Sequence, residues 1–296
     1  MLQSLKGKHS AYTFDNEKKE DVLRDKGKFG NTYLGKDERG VEVVIKKLST
    51  RLKKDEKAVK RFLRETEMPS SHPNIIKCLE AFEQSGDYYL VREYVEGKSL
   101  KEITADAKFI VQCAIQVLNA LEYLHKQNIV HRDVRPNNII VNGDNVTLID
   151  LGLAKTATDE NEKSPFSLIY SSPEQMLNFN ELVNASSDLY SLAITIYECI
   201  ACKAPFSHSN PQMLMQMMIN KPLEPNKKIP KDLFEILLKA ASKSSLPKPP
   251  RRCTRKEIVE FIEKGQALRY QNATEFQYAF SKIDWENEKR FFGFLK

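Results

Sequence analysis

The chain has 296 residues, with 46 Lys and Arg against 40 Asp and Glu, a formal charge of +6, and 41% hydrophobic against 29% charged residues. That content fills one or two cores of roughly 100–200 residues each and excludes a disordered chain or a fibre. No apolar run approaches the roughly 18–20 residues of a bilayer crossing, and the longest, Leu192–Ala204, carries Glu198 and Lys203.

The N-terminal MLQSLKGKHSAYTF has no apolar core flanked by small residues. No secretory leader, no membrane segment and no disulfide framework are expected, and the expected address is cytoplasmic. Up to residue 96 short β-rich runs dominate. Asn31–Lys36 and Val41–Lys46 flank Asp37-Glu-Arg-Gly40 and read as a hairpin, and Ile75–Phe82 and Tyr88–Tyr94 read as two further strands. Between the pairs, Lys54–Met68 places Val59, Phe62 and Leu63 on one helical face, and Pro69 ends it. A small sheet carrying one helix is predicted for residues 1–96.

From residue 97 to 296 the pattern is helical, over Phe109–His125, Ser187–Ala201, Gln212–Ile219, Leu233–Ser242, Lys256–Lys264 and Ala273–Ile283. The exception is Ile139–Val141 and Val146–Ile149 around Asn142-Gly-Asp-Asn145, a strong hairpin signal. Of the cysteines, at 78, 113, 199, 202 and 253, Cys199 and Cys202 alone have metal-like spacing; they lie in an apolar helical run with no second pair and read as core.

The hairpin brings Asn138, before its first strand, near Asp150, after its second, and two oxygen donors there suit a hard cation such as Mg²⁺ held with a phosphate. Asp133, in His131-Arg-Asp133, lies on the same loop and is a candidate base. Any one of these residues alone reads equally as a loop cap. In Gly27-Lys-Phe-Gly30, glycines before a strand let backbone amides approach phosphates. Lys46 ends an apolar strand and needs a partner if buried; Glu65, about 60° from Phe62 on the helix, is a candidate.

Together these residues resemble the eukaryotic-type protein kinases, over Val22–Ile283 and in the family's order: Gly27-x-x-Gly30, Val43-Val-Ile-Lys46, Glu65, His131-Arg-Asp-Val-Arg-Pro-Asn-Asn138, Asp150-Leu-Gly152, Ser172-Pro-Glu174, Asp188 and Arg269. Ser171-Ser-Pro-Glu-Gln175 and Arg269-Tyr-Gln-Asn-Ala273 look most like bacterial members. The resemblance implies an α+β, two-lobed fold: a small β-rich N-lobe with one main helix, residues 1–96, and a larger helical C-lobe, residues 97–296, with ATP in the cleft between them. It implies that Lys46, oriented by Glu65, holds the α- and β-phosphates, that Asn138 and Asp150 hold Mg²⁺ (Mn²⁺ as a substitute), and that Asp133 takes or orients the proton of the attacking hydroxyl. Gly27, Gly30, Val44, Glu93, Val95 and Ile140 would line the nucleotide. Ser167 aligns with the residue that contacts the catalytic Asp in serine/threonine kinases, and Pro136 fits the same branch, so protein Ser and Thr hydroxyls are the expected acceptors. Residues 150–174 would be the activation segment, Glu174 anchored by Arg269, with Thr156, Thr158 and Ser164 as phosphorylation candidates facing Arg132.

The chain departs from the family's pattern around the nucleotide. Arg24 and Asp25 replace an apolar residue and the first glycine, Val44 replaces the small residue over adenine, Arg135 replaces a phosphate-contacting lysine, and the gatekeeper is Arg92. A guanidinium cannot be buried unpaired, so Arg92 is expected to pair with Glu65 or Asp150 in an inactive arrangement and to point outward in an active one. An insert at 244–266 contains the basic, Pro-rich Lys243–Lys256 run and reads either as surface elaboration or as a docking site for an acidic partner; nucleic acid is not expected. The aromatic tail, Trp285–Phe294, would pack back on a lobe or on a partner. The rival readings are a pseudokinase scaffold, favoured by Arg24, Asp25 and Arg92, and a small-molecule kinase, opposed by Glu174, Asp188 and Arg269.

Overall fold

A computed structural model describes residues 2–17, 22–27, 30–156, 168–246 and 248–286. They divide into two units, Met1–Glu96 with Ile149–Gly152, and Gly97–Leu148 with Leu153 onward.

The first unit contains β1 (Leu2–Lys6), β2 (Ala11–Asp15), β3 (Val22–Gly27), β4 (Gly30–Asp37), β5 (Glu42–Leu48), α1 (Glu56–Arg64), β6 (Cys78–Gln84) and β7 (Asp87–Glu93). One seven-stranded sheet runs β1-β2-β4-β5-β7-β6, with β3 also on β4. β4 divides its edge: β2 pairs with Gly35–Asp37 and β3 with the Gly30–Tyr33 end. The Asp37–Gly40 turn is set by Asp37 Oδ1, which accepts the Arg39 and Val41 amides, and by Gly40 at φ 82°, open to glycine at no steric cost.

The hairpin β1–β2 was not expected from the sequence. It brings Leu5, Tyr12 and Phe14 over one face of the sheet, where they form a core with Tyr33, Val43, Ile45, Phe82, Tyr89 and Val91. The opposite face buries Leu48 and Leu90 under Phe62 of α1. α1 itself is shorter than the predicted Lys54–Met68. Asp55 caps its start by accepting from the Lys57 and Ala58 amides, and the chain tightens into a 3₁₀ turn at Glu65–Glu67. Pro69 has no N–H to give the Glu65 carbonyl; Met68 N–H reaches that oxygen instead, at 3.4 Å.

The second unit contains β8 (Lys98–Ser99), α2 (Ala107–His125), β9 (Ile129–Val130), β10 (Ile139–Asn142), β11 (Asn145–Leu148), β12 (Lys155–Thr156), α3 (Pro173–Met176), α4 (Ala185–Ala201), α5 (Pro211–Asn220), α6 (Lys231–Ala240), α7 (Arg255–Ala267) and α8 (Ala273–Phe280). Every residue of α4 from Ser186 to Ala201 is buried, so this helix is the axis of the unit, and α2 packs on it through a wholly buried stripe that includes Leu118, Leu121 and Leu124. The predicted hairpin is present: Asn142 pairs with Asn145, and Gly143 turns at φ 56°.

Most helices begin earlier than apolar periodicity suggests, because polar caps start them. Asp106, Asn184, Asn210 and Thr254 each accept a first-turn amide of α2, α4, α5 and α7. Cys199 is buried, but Cys202 is exposed at the left-handed end of α4, φ 56°, so the pair is only half core. Among the described residues no helix is long and apolar enough to cross a membrane. Of the aromatic tail, Trp285 is half-buried and Phe291–Phe294 lie outside the described residues.

Candidate active site

In the first unit, β5 carries Lys46 opposite Leu90, with the residue 8% exposed. Its Nζ lies 2.8 Å from Asp150 Oδ1 and 3.5 Å from Glu65 Oε2. Burial alone would push the Lys46 ammonium down, but Asp150 and Glu65 outweigh it and hold the pKa above its ordinary value. Asp150 takes φ 67°, a strained value for a non-glycine residue. Gly152 follows because a Cβ there would stand 3.1 Å from Glu65 Oε2, 3.2 Å from Asp150 Oδ1 and 3.3 Å from Lys46 Nζ. The glycine thus lets the backbone pass directly beside three charged atoms.

Gly30 pairs with Gly27 at φ 145°, and a Cβ on Gly30 would collide with the Lys47 carbonyl oxygen. Val44 is buried opposite Arg92, Glu93 Oε1 accepts the Lys77 amide at 3.1 Å, and Val95 is half-buried. Arg92 makes no hydrogen bond or ion pair with Glu65 or Asp150, and Lys46 contacts both carboxylates instead.

The second unit holds the loop after β9. Asp188 of α4, fully buried, accepts the His131 amide on Oδ2 and the Arg132 amide on Oδ1, both at 2.8 Å, and its Oδ2 also meets His125 Nε2 at 2.8 Å. Burial raises the Asp188 carboxyl, but the His125 hydrogen bond and the other nearby donors bring it below the ordinary aspartate range. Gln175 Nε2 donates to the Arg132 carbonyl at 2.9 Å, and the Arg132 guanidinium donates to Asn180 Oδ1.

Asp133, carried by this loop, is 9% exposed. Asn138, at the end of the 3₁₀ turn Pro136–Asn138, donates from Nδ2 to Asp133 O at 2.9 Å and to Asp133 Oδ2 at 2.8 Å, while Arg135 Nε lies 3.4 Å from the same Oδ2. This fixes the amide of Asn138, with its oxygen turned away from the carboxylate. Ile140 follows on β10, paired with Ser99 and Thr147.

Farther along, Glu174 and Arg269 form a buried ion pair, 2.8 Å at its shortest, to which Ser187 Oγ adds a donor at 2.6 Å. Burial would raise Glu174; Arg269 and Ser187 overcome it and keep the carboxyl below its usual range. Thr156 ends β12, and Thr158, Ser164 and Ser167 lie outside the described residues. Sequence reasoning missed Gln175, Asn180 and His125 as supports of the loop. A signal for Gln175 was available, since Ser172 with Gln175 three residues on is a capping-box pattern, and both bonds of that box form.

A hard divalent cation takes amide and carboxylate oxygens, and each unit carries one such donor, Asp150 in the first and Asn138 in the second. Among the described residues no three His, Cys, Asp or Glu side chains gather around a metal position.

The family profile described as "Protein kinase domain" matches residues 25–264, and the chain belongs to that family, with its two-lobed fold of β-sheet N-lobe and helical C-lobe. The family uses ATP with a divalent metal. A probable serine/threonine-protein kinase of Clostridium perfringens is 33% identical over 238 residues, 75% of this chain and 34% of that protein. The serine/threonine-protein kinase PrkC of Bacillus subtilis is 33% identical over 236 residues, 73% and 36% of the two chains. PknB of Mycobacterium leprae, also named a serine/threonine-protein kinase, is 31% identical over 240 residues, 74% and 38%. The match therefore spans little more than a third of each relative's length.

Proposed function

We propose that the chain is a serine/threonine-protein kinase, transferring the γ-phosphoryl group of Mg-ATP to Ser and Thr hydroxyls of proteins. The observation that carries the reading is the Asp133 carboxylate, held by Asn138 at 2.8 Å and flanked by Arg135 on a loop whose amides are clamped to Asp188. A carboxylate so oriented positions an attacking hydroxyl and takes up its proton. Lys46 would hold the α- and β-phosphates, with Glu65 keeping the ammonium in place. Asn138 and Asp150 would hold Mg²⁺, or Mn²⁺ in its stead, and the ion supplies neutralisation of phosphate charge. Gly27, Gly30, Val44, Glu93, Val95 and Ile140 complete the nucleotide contacts in this reading.

The same reading assigns Ser167 to the contact with Asp133, and autophosphorylation to Thr156, Thr158 or Ser164 with Arg132 as counter-charge. Glu174, Asp188 and Arg269 would be the structural anchors of the segment. A cytoplasmic address supplies ATP and keeps the five thiols reduced. The basic insert at 244–266 would recruit an acidic partner or substrate.

One rival is kept, a scaffold that binds partners without chemistry, because Asp25 stands where the family has a glycine and Arg92 is placed on the Lys46 face of the sheet. The deciding experiment is transfer of labelled γ-phosphate from Mg-ATP to the protein and to a generic basic substrate. Wild type is expected to label Ser or Thr, and Asp133→Asn to lower the rate about 10²–10⁴-fold, with Asp150→Asn abolishing it. Absence of labelling by a wild-type protein that binds Mg-ATP would point to an inhibited kinase, and absence of both labelling and binding would move the assignment to the scaffold.

A further inference from the structure

Arg132, the residue before Asp133, takes φ 70°, a strained value for a non-glycine residue that surrounding contacts must hold. Asp188 Oδ1 accepts its amide and Gln175 Nε2 donates to its carbonyl, which fixes the backbone. At the charged end, Asn180 Oδ1 accepts from Nη2. Both partners are buried, Arg132 at 8% and Asn180 at 5% exposure, so loss of this acceptor would strand part of a desolvated guanidinium. A guanidinium has five donors, and one given to Asn180 leaves Arg132 able to take an anionic partner as well.

Asn180 opens the 3₁₀ turn Asn180–Leu182, between α3 and α4. Just before it, Phe179 N–H reaches the Glu174 carbonyl at 2.9 Å, and Leu182 N–H reaches the Phe179 carbonyl at 3.0 Å. Both ends of α7, the helix of the insert, close on this turn. At the first, Arg255 pairs with Glu181 and lies over the Phe179 ring at 5.0 Å. At the last, buried Gln266 donates from Nε2 to the Leu182 carbonyl at 2.7 Å. The Arg255 pair is exposed and weak, so Gln266 is the firmer hold. Gly265 lets α7 pack down on the neighbouring backbone, since a Cβ there would stand 3.1 Å from Ser244 N and 3.2 Å from Lys243 Cα.

We propose that α7 is a brace of the loop that carries Asp133: Gln266 fixes the 179–182 turn, and Asn180 of that turn is a positioning residue that holds Arg132 and, through it, Asp133. All of these groups belong to the second unit. The consequence for rate rests on the kinase reading, in which a small displacement of Asp133 from the attacking hydroxyl is costly.

The contact and its consequence are tested apart. In thermal unfolding of the nucleotide-free protein, Asn180→Leu is expected to lower the midpoint. In an Arg132→Met background, where no guanidinium is left stranded, that loss should be smaller by about 2 °C or more. Equal shifts in the two backgrounds would overturn the hold on Arg132. In phosphotransfer, Asn180→Leu is expected to lower kcat about tenfold or more while KM for ATP changes less than about threefold. Asn180→Asp, which restores an acceptor, should recover at least half of the loss. Gln266→Met alone is expected to lower kcat about threefold or more but to add less than about 1.5-fold to Asn180→Leu, because both act on one turn. Arg255→Ala, at the exposed end of α7, gives the milder form of that comparison if Gln266→Met does not fold. Folded variants with unchanged kcat, no rescue by Asn180→Asp, or losses that multiply independently would overturn the brace. Unfolding coupling in a chain whose wild type transfers no phosphate would remove the kinase reading and the effect on rate, and leave the hold on Arg132 in place.

Discussion

Lys243 shows how one side chain can report on a buried anchor. Its Nζ sits over the Phe206 ring at 4.5 Å and donates to the Met218 carbonyl, contacts that favour the ammonium. Burial and the Arg269 guanidinium nonetheless bring its pKa down to about 7, against 10.5 for an ordinary lysine. Between those values the unfolded chain binds a proton that the folded protein does not, so stability is expected to rise with pH from about 7 toward about 10.5. Lys243→Met removes the group from both states. Unfolding midpoints at pH 7 and pH 9 should therefore show the wild type gaining relative to the variant; parallel profiles would mean that Lys243 stays charged. The same sign applies at lower pH to Glu174, whose depressed carboxyl contributes stability above the ordinary glutamate pKa and loses it as pH falls through the lower folded value.

At the scale of elements, β1 and β2 are held by two side chains of β6. Glu80, 4% exposed, accepts Tyr12 Oη and Lys8 N at 2.6 Å and His9 N at 3.3 Å. Gln84 lends its amide to the β1 backbone, accepting Lys6 N at 2.7 Å and donating to Ser4 O at 3.2 Å. Gly7 passes so close that any Cβ would collide with the Glu80 carboxylate. Glu80→Ala would strand a buried hydroxyl and two amides, and is expected to cost about 2–4 kcal/mol in urea unfolding. Glu80→Gln keeps the acceptor and should lose less; equal losses would show that the site needs volume rather than an acceptor. This hairpin was illegible in the sequence for the same reason. LQSLK and AYTFD are short, and only Tyr12 and Phe14 alternate clearly, so their stability comes from Glu80 and from the core they cover rather than from local pattern. The hairpin at Gly143 was legible because Asn-Gly-Asp-Asn specifies its own turn. Asp133, Asn138 and Asp150 are candidates through motif spacing alone, whereas the unmet donor of Arg92 depends on which side of the sheet Lys46 already occupies, a matter of register between β5 and β7.

For the molecule as a whole, a net charge of +6 matters less than where it is left unpaired. In the insert, Lys248 is paired with Glu257, Arg255 with Glu181 and Lys264 with Glu260. Arg251 and Arg252, in the 3₁₀ turn Pro250–Arg252, and Lys256, in the first turn of α7, are exposed, and no ion pair involves them among the described residues. Exposed charges of one sign within a few residues raise the local concentration of an oppositely charged segment, and salt screens that attraction over about 8–10 Å. If the insert recruits an acidic substrate, the triple variant Arg251→Glu, Arg252→Glu, Lys256→Glu should raise KM for an acidic peptide at least about tenfold at low ionic strength. It should leave kcat unchanged, spare a neutral peptide, and converge with wild type in about 0.5 M salt, where the Debye length is only a few ångströms. Equal KM values for the acidic peptide at low salt would show that the basic run is an ordinary solvated surface.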